Sequence, residues 1–81
     1  MADIPDELIK LERSAEQERA RLAGLQGEAW EAQRLKWREA AMVAQAALTE
    51  YAGREDVSMS RYELEQAVKR AVRHAEEDPA E

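Results

Sequence analysis

The chain has 81 residues and a net charge of −6, and it contains no cysteine. Its length allows one domain, and the lack of cysteine excludes a disulfide scaffold, a thiolate zinc site and a cysteine nucleophile. Sixteen residues are alanine, so only 20 apolar side chains are large enough to build a core. A core this small favours self-association, because oligomers bury apolar surface that a short monomer leaves in water.

The first predicted helix covers residues 5–25. Proline suits the first helical position, and Pro5 is followed by Asp6 and Glu7, which the positive end of the helix dipole favours. Apolar residues then recur at helical spacing and form one stripe: Ile4, Leu8, Leu11, Ala15, Leu22 and Leu25.

Two glycines leave the next connection open between two arrangements. Gly24 and Gly27 predict a break, since glycine destabilises a helix interior, and a tight turn between two antiparallel helices fits them. A single rod from Pro5 to Ala52, about 70 Å long, keeps the same apolar stripe and is the alternative.

The second predicted helix covers residues 28–52. Its stripe follows a seven-residue repeat: Trp30, Trp37, Ala41, Ala44, Leu48 and Tyr51. Gly53 follows as the expected left-handed residue that ends the helix.

The third predicted helix covers residues 61–77. Ser60 and Glu63 have the spacing of a capping box, in which each side chain binds the other residue's backbone amide. The expected apolar stripe of this helix is Leu64, Ala67, Val68, Ala71, Val72 and Ala75. Residues 78–81, which follow the helix, are expected to be a disordered acidic tail.

Trp30 and Trp37 share one face of the second helix, with Arg34 between them, where its guanidinium can stack on either indole. Tryptophan and arginine dominate binding hot spots, although both indoles could instead fill the small core. The predicted interface comprises Leu8, Leu11, Leu22, Trp30, Arg34, Trp37, Leu48 and Tyr51.

The cations of the third helix indicate an alternative function. Arg61, Lys69, Arg70 and Arg73 could contact DNA phosphates if the second and third helices formed a helix-turn-helix. The acidic net charge and the carboxylates at the start of the third helix argue against this, because phosphate binding needs clustered positive charge.

Nothing in the sequence predicts catalysis, a metal site or a cofactor. His74 is the one histidine, and no glutamate stands three residues before it, as helical metal sites require. Glu12, Glu16 and Glu18 are interleaved with arginines and are expected on a solvated face. We therefore expect a protein that is not an enzyme.

Hydropathy predicts no contact with a membrane. The longest uncharged stretch, residues 40–49, is half of what a membrane-spanning helix needs. The first residues lack the basic segment of a secretory signal, so a cytoplasmic location is expected.

The segment from Ser60 to Lys69, SRYELEQAVK, together with Arg73 and His74, resembles the C-terminal region of small helical proteins encoded by actinobacteria and by their phages or mobile elements. This resemblance implies an accessory role and no particular activity.

The sequence predicts an all-α fold, with an antiparallel helical hairpin, a short third helix and a core completed by homodimerisation. The predicted function is a non-catalytic protein–protein interaction module whose partners are a second copy and a further protein. A small DNA-binding regulator is the alternative.

Overall fold

The computed structural model describes the backbone of residues 4–77 and the side chains of residues 4–74. Three α-helices account for most of this region: α1 (Asp6–Ala20), α2 (Gly27–Ala52) and α3 (Arg61–Glu77). Residues 4–77 contain no strand, so the predicted all-α class is confirmed. The predicted tail, residues 78–81, lies outside the described residues.

Helix α1 is shorter than the sequence predicts. Asp6 and Glu7 occupy its first turn as expected, but the helix ends at Ala20 rather than at Leu25. The amides of Leu22 and Ala23 bond to carbonyls three residues back, at 3.1 and 3.2 Å. These shorter-range bonds tighten the chain into turns, which is how helix ends commonly satisfy their last carbonyls.

The break between α1 and α2 is built on glycine. Gly24 has φ +84° and Gly27 has φ +62°, a region that residues with a Cβ enter only at a cost. The continuous rod from Pro5 to Ala52 is therefore not observed.

The end of α2 differs from the prediction. Gly53 has φ −85° and ψ −3°, so it stays right-handed. Its amide donates to the carbonyls of Thr49 and Glu50, both at 3.2 Å. The helix therefore ends with one amide hydrogen shared between two carbonyls, and no residue with left-handed backbone angles follows it.

The capping box at the start of α3 is confirmed. The amide of Ser60 donates to Glu63 Oε1 at 2.9 Å, and the amide of Glu63 donates to Ser60 Oγ at 3.1 Å. Two backbone donors that a helix start would leave unpaired are satisfied in this way.

All three helices contribute to one core cluster. Leu8 of α1, Leu48 of α2, and Leu64 and Val68 of α3 are buried together. Partly buried side chains pack around them: Ile4, Ala47, Tyr51, Ala52 and Met59. Ala15, Ala44 and Val72 are also buried, so the stripes predicted for the three helices do face inward in part.

Helices α1 and α2 touch near both of their ends. Leu8, early in α1, packs with Leu48, late in α2, whereas Glu18, late in α1, binds Gln33, early in α2. The molecule measures 45 × 32 × 16 Å. A body only 16 Å thick encloses little interior, which agrees with the small set of buried side chains.

Candidate protein-interaction surface

A shallow apolar groove runs along one side of α2. Its lining residues recur every three or four positions, so they share one helix face: Arg34, Trp37, Arg38, Ala41, Met42 and Gln45. The groove has a volume of about 430 Å³ and is lined mainly by apolar atoms. We call it the α2 groove.

The two tryptophans do not fill the core. Trp30 and Trp37 are each only partly buried, and neither belongs to the core cluster. Trp37 and the small Ala41 both line the α2 groove. A large aromatic surface therefore remains open to a further molecule.

Two arginines border the groove without a carboxylate in its lining. Arg34 Nε lies 3.3 Å from Glu31 Oε1, an exposed pair, and the stacking on an indole that the sequence allows is not found among residues 4–74. Within the described region, the cation over an aromatic ring is Arg54, 5.3 Å from the centre of Tyr51. No ion pair of Arg38 is found among residues 4–74.

Several large apolar side chains are exposed. Met42, at the groove edge, is 61% exposed, and Leu35 on the same helix is 55% exposed. Val43 and Tyr62 are also exposed. Single exposed apolar residues are ordinary, but Met42 is continuous with the groove, and such patches mark contact surfaces.

The predicted interface is divided between core and surface. Leu8 and Leu48 are buried inside this chain, so they are not available to a partner. The other six residues are partly buried and keep exposed surface: Leu11, Leu22, Trp30, Arg34, Trp37 and Tyr51. The structure brings Arg34 and Trp37 together in the α2 groove.

Two of the four predicted DNA-binding cations bind other side chains of this chain, and the other two are exposed. Arg61 donates to Thr49 Oγ1 at 2.9 Å and to Gln45, and pairs with Glu65 at 3.1 Å. Lys69 lies 3.3 Å from Glu12 on α1 and 3.8 Å from Glu65, which stands four residues before it on α3. Arg70 and Arg73 are exposed.

Glu12 is not on a solvated face as predicted, because it is 5% exposed and Lys69 covers it. Glu16 and Glu18 do pair with neighbouring arginines along α1. The hydrogen bond from Arg19 to Glu16 raises the pKa of Arg19. The burial of Glu12 could have been predicted from its spacing, because Glu12 lies four residues after Leu8 and therefore on the same inward-facing side of α1.

Sequence reasoning also missed Gln33. Its amide donates to the backbone oxygen of Glu18 and to Glu18 Oε1, both at 2.7 Å. Gln33 is 8% exposed, so these bonds satisfy a buried polar group. It stands eleven residues, about three helical turns, before the buried Ala44 and so shares its inward-facing side of α2, a position that could have indicated an inward-facing polar side chain.

A second, smaller cleft of about 220 Å³ lies between α1 and α3. Glu12, Glu16, Lys69, Val72 and Arg73 line it, and its carboxylates stand beside cations. Within residues 4–74, no group of three or more histidine, aspartate or glutamate side chains is placed to hold a metal ion.

No helix in the described part of the chain is long and apolar enough to cross a membrane.

Similarity to known proteins gives no assignment for these surfaces. No protein-family model, curated protein or solved structure significantly matches this chain.

Proposed function

We propose that this chain is a non-catalytic protein–protein interaction module of the cytoplasm. The α2 groove is the observation that carries this function, because an apolar strip centred on a partly exposed tryptophan and bordered by arginine has the composition of a binding hot spot. An accessory role in a phage or mobile element rests on the resemblance of residues 60–74 alone.

The proposed architecture is an antiparallel α1–α2 hairpin with α3 packed against both helices. Two contacts support it: the packing of Leu8 with Leu48, and the hydrogen bonds of Gln33 to Glu18. Each joins one end of α1 to the opposite end of α2.

We also propose that the protein forms a homodimer. The core cluster has four buried side chains, and Leu11, Leu22 and Trp30 remain partly exposed. Burying apolar area at about 25 cal/mol per Å² is the main source of stability open to such a chain, and a second copy supplies more of it.

DNA binding is a less supported function. Two of the four cations that it requires, Arg61 and Lys69, already bind side chains within the chain. Of these four cations, Arg70 and Arg73 are the exposed ones, and two cations give weak, strongly salt-dependent affinity for phosphates.

Sedimentation velocity tests the proposed function. The protein is run at low and high concentration, alone and with a GC-rich duplex of about 30 base pairs at low salt. We expect a dimer at the higher concentration and no co-sedimentation with DNA. Co-sedimentation that disappears in salt, and that Arg70→Ala or Arg73→Ala weakens, would make the chain a DNA-binding protein instead.

A further inference from the structure

We propose that the α2 groove binds an acidic amphipathic helix of another protein. This inference rests on the proposed interaction function and names the chemistry of its partner. The juxtaposition that carries it is that the groove lining combines three apolar side chains, Trp37, Ala41 and Met42, with the two arginines Arg34 and Arg38. We call the apolar part the floor and the arginines the border.

The apolar floor of the groove favours a partner helix that has one apolar face. Trp37 and Ala41 are four residues apart and share one side of α2, and the 61% exposed Met42 adjoins Ala41 at the edge of the groove. Grooves of this kind take residues at i, i+3, i+4 and i+7 of a partner helix. Methionine adapts its shape to different side chains, which suits a surface that accepts a class of helices.

The two arginines at the border of the groove favour a partner that carries negative charge. The chain as a whole carries −6, yet the groove lining contains two arginines and no carboxylate. Arg38 has no ion pair within the described region, and Arg34 shares only an exposed pair with Glu31. Arginine binds carboxylates with two parallel hydrogen bonds, so glutamates flanking the apolar face fit this border.

A second copy fits the groove poorly. A symmetric dimer would pair the same patch on both chains, so the two arginines of each groove would find no carboxylate in the groove lining of the other copy. The acidic segment at residues 76–81 of another copy fits poorly too, because its sequence, EEDPAE, has no large apolar side chain for the floor.

The test uses a designed probe with the full-length protein. The probe is a peptide of about 16 residues with leucines at i, i+3, i+4 and i+7 and glutamates on either side of them. A second peptide carries lysine in place of each glutamate. Binding is followed by tryptophan fluorescence at increasing salt, and sedimentation of the same samples reports self-association separately.

We expect the acidic peptide to bind and the basic peptide to bind at least about tenfold more weakly, with a difference that shrinks in high salt. Met42→Glu and Arg38→Glu should each weaken binding at least about tenfold. Val43→Glu and Lys36→Glu are the matched controls, since both positions are exposed on the opposite side of α2, and both should bind as the unsubstituted protein does.

Three peptide-binding results and one sedimentation result would overturn the proposal. The peptide-binding results are an affinity of the basic peptide equal to that of the acidic one, no binding of the acidic peptide at about 1 mM, and binding that survives both groove substitutions. If sedimentation instead shows that Met42→Glu dissociates a dimer, a second copy occupies the groove, and the interaction function stands while this partner does not.

Discussion

Lys69 Nζ lies 3.3 Å from Glu12 Oε2 and joins α3 to α1 across 57 residues of sequence. The Glu12 side chain is 7% exposed, while that of Lys69 is 40% exposed. The carboxylate is thus the desolvated partner, and the lysine compensates for much of the cost of its burial.

Removing the lysine should destabilise the fold. We expect Lys69→Met to lower the free energy of unfolding by about 1–2 kcal/mol, because the buried carboxylate of Glu12 loses its partner. Urea denaturation followed by circular dichroism measures this change. Adding Glu12→Gln should restore part of the loss. Lys36→Met, at an exposed position of α2, is the control, and an equal loss there would show that the ion pair is not the cause.

The capping box should account for much of the local stability of α3. Ser60→Ala removes the hydroxyl that binds the Glu63 amide and is expected to cost about 1 kcal/mol. Thermal unfolding compares it with Ser58→Ala, a change at an exposed loop serine. Identical melting temperatures for the two variants would contradict the assigned role of Ser60.

Two glycine substitutions should act in opposite directions. Gly24→Ala places a Cβ at φ +84°, where open space around it does not relieve the backbone strain, and should destabilise by about 1 kcal/mol. Gly53→Ala meets only ordinary contacts at 3.5 and 3.6 Å and should be neutral or stabilise by up to about 1 kcal/mol. Chemical denaturation of both variants measures this. A stabilising Gly24→Ala would favour a continuous helix through residues 20–27.

Gln33 should help to hold α1 against α2. Gln33→Ala removes both hydrogen bonds to Glu18, and we expect a loss of about 1–2 kcal/mol. Amide hydrogen exchange should then show earlier opening at the end of α1 than at its start. Gln66→Ala, at an exposed position of α3, should leave both the stability and the exchange pattern unchanged.

Local signals in the sequence predicted local structure well. The capping box of α3 depends on two side chains three residues apart, so Ser60 and Glu63 predict it directly. The helical class follows from residue composition and periodicity in the same way. The early end of α1 was not predicted, because the tightened turns at Leu22 and Ala23 precede the glycine that marks the break.

Contacts between distant residues were beyond the sequence. Glu12 was expected in solvent because the partner that permits its burial, Lys69, lies on another helix. Similarly, a seven-residue spacing placed Trp30 and Trp37 on one face, but it could not decide between core and surface. The decision depends on how much of α2 the other helices cover, and in the structure both indoles stay partly exposed.

Acrylamide quenching of tryptophan fluorescence tests the central claim most directly, namely that the partly exposed indoles form contact surfaces for other chains. Trp30→Tyr and Trp37→Tyr each leave one indole to observe. At low protein concentration, we predict that both indoles are readily quenched. Trp30 should become protected as the protein self-associates, and Trp37 should become protected when the acidic peptide is added. Indoles that are shielded at the lowest concentration, or that stay equally quenchable under all these conditions, would contradict the account.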